Sequence, residues 1–114
     1  MASTSQIPFH PAGLTVLITA ATSPPAGSQV GVYSSEQGYG QYRIVNAGLV
    51  TVFLGCGGTA AEAQTNAAVV SSTGKGVPLL PGAVEILRFI NDGYFSAGTA
   101  SSTASIYITP GYGL

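Results

Sequence analysis

Hydrophobic positions along the chain recur in short runs with a period of two, which is the period of a β-strand. In residues 14–19 (LTVLIT), for instance, Leu14, Val16 and Ile18 share one face. Glycine, proline and asparagine separate the runs, as they do in turns. The pattern predicts strands at residues 14–19, 29–33, 41–46, 49–54, 83–90, 94–97 and 103–109.

Two of these runs, residues 41–46 (QYRIVN) and 49–54 (LVTVFL), have only Ala47 and Gly48 between them. With Asn46 before the glycine, this spacing predicts a tight hairpin. Both faces of the second run are largely apolar, which predicts a central strand covered on both sides. A second hairpin turn is predicted at residues 91–93 (NDG).

Residues 83–90 (AVEILRFI) place their two charges, Glu85 and Arg88, on opposite faces of a strand that is otherwise apolar. Before them, residues 77–82 (VPLLPG) are predicted to be extended, with a turn at Pro81 and Gly82. A strand with apolar groups on both faces, in a chain this small, predicts a homo-oligomer.

Helical propensity is confined to residues 59–68 (TAAEAQTNAA). Thr59 is a candidate N-cap, and Glu62 follows it at capping-box spacing. Ten residues are marginal for a helix on its own, so an irregular loop is the alternative. Residues 69–76 form a polar linker in this interpretation.

The domain organisation follows from the first thirteen residues, which have no periodicity and contain Pro8 and Pro11. We interpret residues 1–13 as an extended N-terminal arm, because proline disfavours helix and donates no ladder hydrogen bond. Residues 14–114 show no break in composition and form a single β domain. Seven or eight short strands predict an all-β fold, either a two-sheet sandwich or a small barrel.

Charge is scarce: three basic and four acidic residues among 114 give a net charge of −1. Binding of nucleic acid through phosphates is therefore excluded. No apolar run reaches the roughly 20 residues of a membrane span, and residues 1–8 lack a signal-peptide pattern. A weakly charged surface repels other copies little and suits a protein packed against other proteins.

Candidate chemistry is sparse as well. His10 is the only histidine and Cys56 the only cysteine, which excludes a disulfide within the chain. We interpret His10 as a solvated or contact residue and Cys56 as a small residue in a turn, with no base nearby to activate it. The sequence predicts no enzyme, no metal site and no cofactor.

Two further patterns bear on a binding role. Residues 71–76 (SSTGKG) lack the glycine and hydroxyl spacing of a phosphate loop. Tyrosines offer a candidate platform for stacking sugars or bases, although strand aromatics more often belong to a core or an interface. The tyrosines considered are Tyr33, Tyr39, Tyr42, Tyr94 and Tyr112.

Four segments resemble small structural proteins of tailed bacteriophages: residues 42–48 (YRIVNAG), 50–55 (VTVFLG), 78–89 (PLLPGAVEILRF) and 106–114 (IYITPGYGL). The resemblance covers roughly residues 41–114 and is carried mainly by the strands and by the turns NAG, LPG and TPG. The family is that of head decoration, or cement, proteins.

The resemblance implies a jelly-roll-like fold and no catalytic residues. It implies a homodimer or homotrimer that binds the outside of the capsid, is made in the host cytoplasm and staples neighbouring major capsid proteins. An extended arm at residues 1–13 suits a protein that reaches across a boundary between capsid subunits. Two alternatives stay open: another virion β module, such as a head-fibre base or a tail-associated protein, and a small carbohydrate-binding module.

Overall fold

A computed structural model of the protein describes residues 9–31, 40–68, 76–89 and 93–112. In these ranges the chain forms nine strands and one short helix. They are β1 (His10–Pro11), β2 (Val16–Ala20), β3 (Ser28–Gln29), β4 (Gln41–Asn46), β5 (Val52–Gly57), α1 (Ala60–Asn66), β6 (Val77–Leu79), β7 (Val84–Arg88), β8 (Tyr94–Thr99) and β9 (Ala104–Tyr112).

The strands form two antiparallel sheets packed face to face, which confirms the predicted all-β sandwich. In the first, here the front sheet, β1 and β2 lie along the same edge of β9, followed by β4 and β7. The second, the back sheet, has the order β3-β8-β5-β6. This arrangement is the strand order of a jelly roll. From β2 onward the chain changes sheets at every connection except the one from β5 to β6.

Both predicted hairpins are wrong, because the strands on either side of each turn belong to different sheets. β4 pairs with β7 and β9, whereas β5 pairs with β6 and β8. Likewise β7 lies in the front sheet and β8 in the back sheet. Residues 47–51 therefore carry the chain across the sandwich. Asn91 and Asp92, in the second predicted turn, lie outside the described residues.

Strand positions were otherwise predicted well, with shifted ends. The strand predicted to begin at Leu14 is β2, which begins at Val16, and the strand predicted to end at Thr109 is β9, which extends to Tyr112. Of the predicted strand at residues 29–33, only Gln29 is in β3, and Tyr33 lies outside the described residues. The turn at Pro81 and Gly82 is confirmed: the Ala83 amide donates to the Leu80 carbonyl at 3.0 Å, and Gly82 has a φ of +80°.

The core lies between the sheets and is built from alternate residues of the facing strands. Three aromatic rings pack together at the core: buried Phe95 contacts buried Tyr42 edge-on, with ring centroids 4.7 Å apart, and half-buried Phe89 at 5.5 Å. Such edge-to-face pairs add to the stabilisation from burial. The buried cluster is Ile18, Ala20, Val30, Tyr42, Ile44, Val52, Leu54, Leu79, Phe95, Ala97, Ala104, Ile106 and Ile108.

The helix and its predicted cap are confirmed. The Thr59 hydroxyl accepts a hydrogen bond from the Glu62 amide at 3.2 Å, and the Glu62 carboxylate accepts one from the Gly58 amide at 3.0 Å. The helix packs on the outer side of β5, where a side chain at Gly55 would collide with the backbone of Ala67. β5 is therefore central and covered on both sides, as its sequence predicted.

The described part of the predicted arm follows β9. His10 and Pro11 pair with Tyr112 and Gly111, and the Ala12 amide donates to the Pro110 carbonyl at 2.9 Å. Residues 110–112, predicted to follow the last strand, therefore form the end of β9. Residues 1–8 lie outside the described part of the chain.

Candidate docking face

The residues considered for catalysis or metal binding are not gathered into a cluster. Nowhere in the described ranges do three or more His, Cys, Asp or Glu side chains converge in a way that would hold a metal ion. His10 is exposed on β1, while Cys56 is half-buried in β5 and packs against the core. Cys56 thus lies within a strand and not in the predicted turn. Of residues 71–76, only Gly76 is described.

Of the tyrosines proposed as a stacking platform, the two whose side chains are described, Tyr42 and Tyr94, do not form an exposed pair. Tyr42 is buried in the core against Phe95, and Tyr94 is half-buried in β8. Tyr33 and Tyr39 lie outside the described residues. Among the tyrosines whose side chains are described, Tyr107 is the most exposed, at 41 %, and it was not one of those predicted to stack. Its position between Ile106 and Ile108 is the signal that would have found it, because alternate strand residues point to opposite faces.

The outer faces of the two sheets differ. Helix α1 covers the back sheet over β5 and β8, and Ala63 of the helix and Ala67 at its C-cap are fully buried. No described element covers the outer face of the front sheet. Large exposed apolar groups on such a face are typical of an interaction surface.

Four apolar side chains form a row across this uncovered face, here called the apolar row. Strand register places Leu17 opposite Tyr107, Tyr107 opposite Val45, and Val45 opposite Val84. Directly opposed side chains in a sheet lie about 5 Å apart, so the row is continuous across β2, β9, β4 and β7. Leu17 is 52 % exposed and Val84 50 %, and Val45 is half-buried.

Hydroxyl groups and two arginines flank the apolar row. Thr15 and Thr109 share a hydrogen bond of 2.7 Å between their hydroxyls, next to Arg43 in the register. Arg43 and Arg88 are two of the three basic residues of the chain. The face as a whole, here called the docking face, comprises Thr15, Leu17, Thr19, Gln41, Arg43, Val45, Val84, Ile86, Arg88, Ser105, Tyr107 and Thr109.

No carboxylate lies on the docking face among the described residues. Glu62 is on α1, over the back sheet. Glu85 is on β7, but it faces the opposite side of the strand, as its alternation with Arg88 predicted. The described charge of this face is therefore positive in a chain whose net charge is −1.

The edges of the two sheets at β6, β7 and β8 are less suited than the docking face to binding another chain. β6 has only three residues, and Pro78 in its middle has no amide hydrogen to donate. On β7, Glu85 faces an open groove of about 360 Å³ between the sheets, and an inward-pointing charge disfavours strand addition. Residues 21–27 cover the edge of β8, where the Ser96 hydroxyl donates to the Pro25 carbonyl at 2.6 Å.

Hydrogen bonds of the Asn46 side chain join two loops at one end of the sandwich. Its side chain is fully buried, and its amide nitrogen donates to the carbonyls of Val50 and Leu79, both at 3.0 Å. Its side-chain oxygen accepts from the Gly48 amide at 3.0 Å. Asn46 was predicted to start a hairpin turn. It instead fixes the connection from β4 to β5, which carries Leu49, and the connection from β6 to β7, which carries Leu80; both leucine side chains are exposed.

Comparison with known proteins found no matching protein family, no matching curated protein and no matching solved structure. No helix in the described ranges has both the length and the apolar character needed to cross a bilayer.

Proposed function

We propose that this chain is a structural virion protein that binds the outside of a phage capsid and staples neighbouring major capsid proteins. The observation that carries the proposal is the continuous apolar row on the front sheet, whose outer face no described element covers. A sheet with one face in the core and the other exposed normally alternates apolar with polar residues, so an apolar outer row favours a protein partner. The sequence resemblance to phage decoration proteins points to the same role.

The size of the docking face favours several copies acting together. Four strands about 4.8 Å apart and five residues rising about 3.3 Å each give a face of roughly 19 by 17 Å. Its projected area of roughly 300 Å² is well below the ~800 Å² that each partner buries in a stable interface. We therefore propose that the chain acts as a homodimer or homotrimer, in which linked weak contacts give strong attachment.

The proposal places the protein on the outer surface of the virion after synthesis in the host cytoplasm. Its partners are the major capsid protein and further copies of itself. It assigns the chain no catalytic activity, cofactor or metal, and neither nucleic acid nor membrane as a partner. Residues 1–13 are an additional contact in this proposal, because an arm beside β9 extends the reach of each copy.

Cosedimentation with capsids assembled without this chain tests the proposal. Leu17→Ser removes one side chain of the apolar row, whereas Leu49→Ser removes a leucine that is 93 % exposed but lies off the docking face. We expect Leu17→Ser to weaken binding at least tenfold and Leu49→Ser to change it less, since burying a leucine contributes about 1.5–3 kcal/mol. Wild-type protein that does not cosediment with capsids would contradict the proposed function.

The same experiment separates a decoration protein from another virion β module. A head-fibre base or tail-associated protein binds a vertex or the tail, so its saturation corresponds to a few copies per particle. A cement protein saturates at a number proportional to the capsid subunits. Stoichiometry at saturation therefore distinguishes the two.

A carbohydrate-binding module is the second candidate, because Tyr107 is an exposed aromatic flanked along its strand by the hydroxyl groups of Ser105 and Thr109. Such a ring stacks against the apolar face of a sugar. A glycan array with wild type and Tyr107→Ser tests this role. Binding of a defined glycan that Tyr107→Ser abolishes, without binding to capsids, would favour the carbohydrate module.

A further inference from the structure

We propose that the surface bound by the docking face is a protein surface with an apolar centre and a carboxylate placed against Arg43. This inference rests on the proposed function and specifies the chemistry of its partner. The contact has two parts: the apolar row supplies most of the binding free energy, and Arg43 sets the orientation of the partner on the docking face.

The position of Arg43 carries the inference. It is exposed in β4, a central strand of the front sheet, two residues from Val45 in the apolar row. In the register it stands between Thr109 of β9 and Ile86 of β7, so a partner seated on the row also covers Arg43. Taking a guanidinium out of water is costly unless it gains a charged hydrogen-bond partner.

The docking face does not itself supply that partner. No carboxylate is present among its described residues, and Glu62 and Glu85 point elsewhere. A carboxylate from the partner removes this cost, and its two oxygens match the planar fork of the guanidinium.

A second copy of this chain is a poorer occupant of the face. Packing two docking faces together brings Arg43 of both copies into one interface, with no described carboxylate on either face to pair with them. Like charges brought together in an interface act against association. Self-association is therefore assigned to other surfaces, and the docking face to a partner with carboxylates.

Zero-length cross-linking with a carbodiimide tests the inference, because the reagent joins a lysine amine to a carboxylate it touches. Arg43→Lys places the amine on the docking face, and Thr65→Lys places one on the exposed side of α1 as the matched control. Each variant is bound to capsids assembled without this chain, treated and digested. Mass spectrometry then identifies peptides joined at position 43 or 65.

We expect position 43 to be joined to an Asp or Glu of the capsid protein, and position 65 to give no such product. We also expect Arg43→Glu to weaken capsid binding about tenfold or more and Arg43→Gln about threefold. Retained binding with no cross-link at position 43, or equal affinity for Arg43→Glu and wild type, overturns the inference and leaves the proposed function intact. Absence of wild-type binding to capsids overturns both.

Discussion

The side-chain amide of Asn46 donates a hydrogen bond to the carbonyl oxygen of Leu79, 3.0 Å away and 33 positions later in the chain. Asn46 ends β4 in the front sheet, and Leu79 ends β6 in the back sheet. The bond therefore joins the two layers of the sandwich through a side chain that is fully buried. It also fixes where two loops leave the sandwich.

Asn46→Ala is expected to lower the stability of the domain by at least about 2 kcal/mol, because a buried group left without its hydrogen bond costs about 1–3 kcal/mol. The substitution removes the Asn46 hydrogen bonds to the carbonyls of Val50, Leu79 and Leu80 and from the amide of Gly48. Urea unfolding monitored by circular dichroism measures the change.

Asn66→Ala is the matched control, since the Asn66 side chain donates a single part-buried hydrogen bond, to the Cys56 carbonyl at 2.9 Å. We expect it to cost about 1 kcal/mol. Equal losses for the two variants would contradict the role given to Asn46.

The contact between α1 and β5 gives a second prediction. A methyl group added at Gly55 would meet the backbone of Ala63 and Ala67, so Gly55→Ala must push the helix off the sheet. Overpacking of this kind costs about 1–3 kcal/mol. Thermal unfolding measures it, and Gly93→Ala is the control, because no atom lies within 4 Å of an added Cβ there. A Gly55→Ala variant as stable as the control would mean that the helix does not lie against β5.

The positions of the strands, the helix cap and the burial of β5 on both faces could be predicted from the sequence, because all of these depend on local periodicity and turn chemistry. Thr59 and Glu62 carry their capping signal within four residues. Strand pairing depends instead on contacts distant in sequence. Asn46, Ala47 and Gly48 have the composition of a hairpin turn, yet the bond from Asn46 to Leu79 holds them in a crossing between sheets.

The docking face was harder to predict for the same reason. The alternation of Tyr107 with Ile106 and Ile108 predicts that the Tyr107 side chain points away from the core. No local pattern shows that Leu17, Val45 and Val84 stand in line with it. The row exists only after β9 is inserted between β2 and β4. The opposite placement of Glu85 and Arg88 on β7 was likewise predictable from a single strand.

Two truncations of the N-terminus test the contributions of different parts of the predicted arm. Removal of residues 1–8 is expected to leave the melting temperature unchanged and to weaken attachment to capsids. Removal of residues 1–13 also deletes β1 and the ring of Phe9, which packs on Gly111, so we expect a lower melting temperature. Differential scanning calorimetry and cosedimentation measure the two effects. Unchanged attachment after both truncations would rule out a role for the arm.

Attachment is expected to depend weakly on salt. Apolar burial contributes about 25 cal/mol per Å² and is not screened, whereas charge effects are limited to about 8 Å at 0.15 M salt. With one or two arginines in the contact, raising salt from roughly 0.05 to 0.5 M should change the affinity less than about tenfold, or ~1.4 kcal/mol. Titration of capsids at several salt concentrations measures the slope. A loss of several orders of magnitude would show that charge, and not the apolar row, dominates binding.

The most direct test of the central claim is a cryo-electron-microscopy reconstruction of virions that contain this chain. The account predicts density for the sandwich on the outside of the capsid shell, with the docking face of the front sheet against the major capsid protein and α1 directed away from it. Density at the tail, absence from the shell, or a sandwich attached through the helix-covered back sheet would contradict it.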